Sequence, residues 1–154
     1  MRRALLVVTL LAACGVAAAQ PARIAGDYSG QYTCSQGLTG MTVRLGQPRG
    51  GAVDATIVFF AHPDNPGVES GCYSARGRLD ETGRLVLSPG AWIHKPGEGW
   101  SMTVLDGQIG ADGAYAGRVI APNSPSACAR FALRRGATPH KAPPAQCVRP
   151  ALVG

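Results

Sequence analysis

Apolar and polar residues alternate in short stretches from Gly26 to about Arg135, and glycine, proline or aspartate interrupts them roughly every 8 to 15 residues. Met41, Val43 and Leu45 fall on one side of an extended chain, as do Val53, Ala55, Ile57 and Phe59. Phe131 and Leu133 stand opposite Arg130 and Arg134 in the same way. A period of two marks a half-buried strand, whose successive side chains point to opposite faces. The pattern predicts strands at 27–34, 40–46, 52–61, 71–79, 84–88 (extending towards 93), 100–109, 114–121 and 128–135. Nowhere in this region does a helical period appear.

Two segments share one spacing. In Gly77-Arg-Leu-Asp-Glu-Thr-Gly83-Arg-Leu85 and Gly107-Gln-Ile-Gly-Ala-Asp-Gly113-Ala-Tyr115, an apolar residue follows the first glycine by two positions, a second glycine by six and another apolar residue by eight. A glycine that takes positive φ just before the returning strand is what a short hairpin with a bulge requires. These read as successive hairpins of a meander, and two copies are too few for a propeller or solenoid. Eight short antiparallel strands give an all-β domain, closed as a small barrel or stacked as a two-sheet sandwich. A membrane-spanning barrel does not fit: most strands are under nine residues, aromatic girdles are missing, and arginine is scattered through them.

The first 20 residues carry a different signal. Arg2 and Arg3 precede a ten-residue apolar run, Ala4 to Ala13, and small residues follow, which is the layout of a secretory signal peptide. Two endings stand. Ala17 and Ala19 form an A-x-A site, giving a signal of 1–19; alternatively Leu11-Ala12-Ala13-Cys14-Gly15 resembles a bacterial lipobox, giving a signal of 1–13 and a lipidated Cys14. The remainder divides into a linker at 20–25, the β domain at 26–135 and a C-terminal tail at 136–154 with four prolines. Export to the periplasm or beyond is expected either way, as a soluble protein or an outer-membrane lipoprotein.

Cys34, Cys72, Cys128 and Cys147 remain after either ending. An even number in an oxidising compartment reads as two disulfides. Cys34–Cys128 would join the first and last strands, and Cys72–Cys147 would pin the tail. Separations of 38, 56 and 19 residues contain no C-x₂-C pair, so no metal site is expected from them, and no cofactor.

The chain carries a formal charge of +6, and Arg2 and Arg3 leave with the signal. No acidic residue follows Asp112, so the last third is basic. Such a face suits an envelope protein or an anionic glycan as partner. Nucleic acid is disfavoured by the address and by the lack of interleaved basic and aromatic residues. Membrane attachment enters only through Cys14, and a monomer is expected.

The opening Gly30-x-Tyr32-x-Cys34-x-Gln36-Gly37, with the glycine-rich hairpins, resembles small uncharacterised β domains of exported bacterial proteins over roughly 26–135. That resemblance implies no catalytic residues. The overall format is similar to periplasmic inhibitors of lysozymes and proteases, though fold analogy alone assigns no function.

Two loops carry the polar chemistry. One, stiffened by Pro63 and Pro66, holds His62, Asp64 and Glu69; the other holds Trp92, His94, Lys95, Glu98 and Trp100. In a meander both open at the same end, forming a candidate binding rim with the tryptophans as amphipathic anchors. Histidines beside proline in a loop are ordinarily just exposed, and tryptophan at a strand end ordinarily plugs the core. Nucleophile signatures such as G-x-S-x-G are missing. The expectation is a non-enzymatic binding module of the envelope, restraining a hydrolase or holding cell-wall glycan. Two alternatives are a barrel carrying a small apolar ligand and a hydrolase acting through the rim.

Overall fold

The computed structural model describes residues 23–148; both signal-peptide endings and Cys14 lie outside the described residues. Within them the strands are β1 (Gly26–Cys34), β2 (Gly37–Leu45), β3 (Ala52–Ala61), β4 (Gly71–Leu79), β5 (Arg84–His94), β6 (Val104–Ile109), β7 (Ala114–Ile120) and β8 (Cys128–Arg135). Every neighbour in sequence is a neighbour in space, all antiparallel, and β1 pairs with β8 to close a barrel. Of the two architectures the alternation allowed, the chain takes the barrel.

Both predicted hairpins form by one mechanism. The Asp80 N–H donates to Arg84 O and the Gly83 N–H to Asp80 O; Gly110 and Gly113 repeat this with Ala114 and Gly110. Gly83 and Gly113 take φ of +86° and +80°, the left-handed region that a side chain would penalise. Side-chain oxygens complete the turns: Asp80 Oδ1 accepts from the Thr82 and Arg84 N–H groups, and Asp112 Oδ1 accepts from the Ala114 N–H.

Most strand ends fall within a residue of those predicted, and two starts differ by more. β2 starts at Gly37 rather than 40, because a two-residue turn, Ser35–Gln36, pairs Cys34 directly with Gly37. The small residues there carry no alternation to read. β6 starts at Val104 rather than 100, because the Thr103 backbone bonds the Tyr73 hydroxyl and Trp100 stacks on Phe59 instead of joining a ladder.

The interior is filled by inward positions from all eight strands. Tyr28, Met41, Val43, Ile57, Leu85 and Leu105 are each at most 1% exposed. Tyr115 packs edge-on against both Tyr28 and Phe131, and its hydroxyl donates to Leu85 O. Gly107 and Gly117 face each other across β6 and β7, and a Cβ on Gly107 would strike the Phe131 ring. An eight-strand barrel is just wide enough for side chains to fill it, and these do. Ile24, inside the segment read as linker, belongs to this core, and its carbonyl accepts from the Tyr28 hydroxyl.

The outer wall of the barrel is ionic. Arg44 pairs with Asp27 at 2.8 Å, Arg76 with Asp54 at 2.7 Å, Arg84 with Asp106 at 2.9 Å and Arg134 with Asp112 at 3.6 Å.

Outward residues of β3 and β4 are a separate case. Val58, Phe60 and Cys72 point away from the barrel yet are buried, because the tail crosses over them and Cys147 packs in the same cluster. The disulfides are Cys34–Cys128, across the β1–β8 seam, and Cys72–Cys147, which fastens the tail. Two disulfides fit an oxidising compartment.

Candidate functional site

Four connections meet at the end of the barrel where β1, β3, β5 and β7 finish: the turn at 35–36 and the loops at 62–70, 95–103 and 121–127. Between them lies an open cavity of about 380 Å³. Its floor and walls include Tyr32, Met41, Phe59 and Tyr73 from the strands, Trp100 from the 95–103 loop and the Cys34–Cys128 bridge.

The loops are fixed by specific bonds. Asn65 Nδ2 donates to Gln36 O at 2.7 Å and Leu38 O at 3.1 Å, which ties the 62–70 loop to the first turn. Trp100 stacks on Phe59 with ring centres 4.9 Å apart and an interplanar angle of 19°. Its indole Nε1–H donates to Glu69 Oε2 at 3.1 Å, joining the two polar loops across the mouth. Trp92 meets Phe59 and Tyr73 edge-on from behind.

Two phenols stand inside the mouth. Tyr32 Oη accepts from Gln36 Nε2 at 3.0 Å. Tyr73 Oη accepts the Thr103 N–H at 3.2 Å and lies 2.9 Å from Thr103 Oγ1. Burial pushes both phenols well above the usual tyrosine range; Tyr73 raises Tyr32 further, and the bonds from Thr39 and Gln36 offset only part of this. Both are neutral donors and acceptors at physiological pH, unsuited to act as bases.

The residues expected to form the rim are distributed rather than gathered. Glu98 and Trp100 line the cavity, and Glu69 reaches it through Trp100. His62 is instead buried on the outer wall, 8% exposed, with its ring 5.1 Å from that of His140 in the tail. Its Nδ1 accepts the Asp64 N–H at 3.1 Å, while the Asp64 side chain itself is 81% exposed. His94 ends β5 opposite Cys72, and Trp92 is part of the wall. Lys95 is exposed. Among the described residues no group of three or more His, Cys, Asp or Glu is placed to hold a metal ion.

Sequence reasoning passed over Tyr32, Gln36, Phe59 and Tyr73 as site residues. The Gly30-x-Tyr32-x-Cys34-x-Gln36-Gly37 run was the signal for the first two: alternation sends Tyr32 inward, and the turn folds Gln36 back onto its hydroxyl. No known family model matches the chain, and no curated protein or solved structure shows significant similarity to it.

Proposed function

We propose that this protein is a non-enzymatic binding module exported to the bacterial envelope, and that the barrel mouth is its binding face. The observation that carries this is the contrast between a filled interior and a mouth held open by cross-tied loops. A concave site with a few convergent polar groups on an apolar wall is the usual form of a recognition site. Two disulfides and a signal-like start favour the oxidising side of the cytoplasmic membrane.

The partner is an envelope component, such as a hydrolase the module restrains, that places a small group in the mouth. Anionic glycan suits this face poorly, because Glu98 is the charged side chain in the lining and no lysine or arginine accompanies it. The carrier alternative gains no support: Phe59, Leu85, Tyr115 and Phe131 fill the interior that an apolar cargo would need. The hydrolase alternative needs His62 beside His94 and Glu98, and His62 lies outside the mouth against His140.

Site-specific photo-crosslinking in the native envelope tests the reading. A photoreactive residue at Ser101, in the mouth, should give a discrete adduct, and one at Glu81, at the opposite end, should not. Equal labelling from both ends, or none from Ser101, refutes the mouth as the binding face.

A further inference from the structure

We propose that the mouth is a cage for an organic cation, formed by the rings of Tyr32, Phe59, Tyr73 and Trp100 with the carboxylate of Glu98 at its edge. This deepens the binding-module reading and rests on it. Four aromatic side chains from β1, β3, β4 and the 95–103 loop converge on one cavity. Aromatic faces carry negative charge density and attract ammonium or guanidinium groups, most strongly where water is excluded.

The local charge agrees. Asp64, Glu69 and Glu98 lie on the four mouth loops against a single cation, Lys95, in a chain whose overall charge is +6. The mouth loops therefore carry a net negative charge, which draws a cation in and repels an anion. Glu69 adds to it while its Oε2 accepts from Trp100 Nε1, so the bond that sets the ring also places a second carboxylate near the rim.

The Tyr73 hydroxyl is engaged with Thr103, the Tyr32 hydroxyl accepts from Gln36, and Phe59 and Trp100 stack on each other. A cation uses the ring surface left by that stack and the Glu98 carboxylate without directional bonds. The cavity of about 380 Å³ has room for a trimethylammonium group or the end of a lysine or arginine side chain.

The oxidised full chain can be titrated calorimetrically, at constant ionic strength, with choline chloride, N-acetyl-lysine amide and N-acetyl-arginine amide. Sodium glucuronate and N-acetylglucosamine trimer serve as the anionic and neutral arms. Cations should bind with dissociation constants on the order of 1 mM. Tighter binding of choline points to a free small molecule, and tighter binding of an amino-acid amide points to a polypeptide side chain. Glu98→Gln should weaken cations about five- to tenfold, and Trp100→Ala tenfold or more, with Trp100→Phe largely restoring binding. Each variant should keep the parent circular dichroism spectrum, which separates lost binding from lost folding. Preferential binding of the neutral trimer, unaffected by Glu98→Gln, overturns the cage. Failure of every cation to bind overturns it too, and crosslinking from Ser101 then reports separately whether the mouth is still a binding face.

Discussion

Phe60 offers the sharpest test of how the outer wall is built. It is a direct register partner of Gly40 across β2 and β3, points away from the barrel, and is completely buried beneath the tail. A Cβ on Gly40 would fall inside van der Waals contact with three atoms of the Phe60 ring, which are its three nearest neighbours. Gly40 does not occupy the left-handed region, so alanine is opposed there by the ring and not by its own backbone conformation. The ring has little room to yield, because Val58, Cys72 and Cys147 are buried in the same cluster. Gly40→Ala should therefore cost about 2–3 kcal/mol, the upper part of the range for overpacking. Phe60→Ala should cost about 3–5 kcal/mol for the lost ring and the cavity left behind. Once the ring is gone that clash is removed, and alanine should gain roughly 0.4–1 kcal/mol by restricting the unfolded chain. The double variant should then be less destabilised than the sum of the singles by about 3 kcal/mol. Urea denaturation of the four oxidised proteins, with unchanged m-values, measures each term. Additivity to within about 0.5 kcal/mol would refute the packing argument. So would a neutral Gly40→Ala.

The remaining predictions concern the staples and the tyrosines. Replacing Cys34 and Cys128 by alanine, a pair 94 residues apart, should destabilise the barrel by up to about 4.7 kcal/mol on the loop-entropy argument, read as a lower urea midpoint. Replacing Cys72 and Cys147 should instead leave the barrel closed while freeing the tail; amide exchange should accelerate at residues 58–60 and not along the β1–β8 seam, and uniform acceleration would contradict this. All four tyrosines have pKa values raised by burial, so the folded protein keeps protons that the unfolded chain loses above about pH 10. Stability is thus fully present below that pH and falls as pH rises further. An alkaline titration should show tyrosinate absorbance appearing together with unfolding, and a phenol ionising near pH 10 in the intact fold would refute the burial argument.

Strand number and order were legible because eight alternating segments with short turns leave a meander as the simplest arrangement. Closure was not, since barrel and sandwich share the same alternation and differ in whether β1 finds β8, a pairing between segments about a hundred residues apart. The mouth was half legible. Composition pointed to Trp100, Glu98 and Glu69, which do meet there, but also to His62, which sequence proximity placed in the same loop. Alternation along β3 carries the explanation: Phe59 faces in and Phe60 out, and His62 continues the outward set to lie beneath the tail. Reading that needed the tail's path, which no local pattern encodes. Tyr32 and Tyr73 were hidden for the opposite reason. An inward tyrosine is an ordinary core residue until the neighbouring loops leave a cavity above its hydroxyl.

The two ends of the barrel are closed by different physics, and this bears on the proposal that the mouth is a binding face. At the end holding Gly83 and Gly113, backbone groups of the turns bond the neighbouring strand directly: the Ile109 N–H donates to Gly83 O, Arg135 to Gly113 O and Leu79 to Gly51 O. Ile24 is buried in the core beside them. At such an end the turn backbone is bonded into the sheet, with Asp80 and Asp112 completing the turns. At the mouth, order comes from side chains: Asn65 on the first turn, Trp100 on Phe59 and Glu69, Thr103 on Tyr73. Substitutions there should alter loop position without opening the barrel, because the ladders below and the Cys34–Cys128 bridge hold independently. Recognition can therefore change at the mouth while the scaffold stays folded, which is the property a binding face requires.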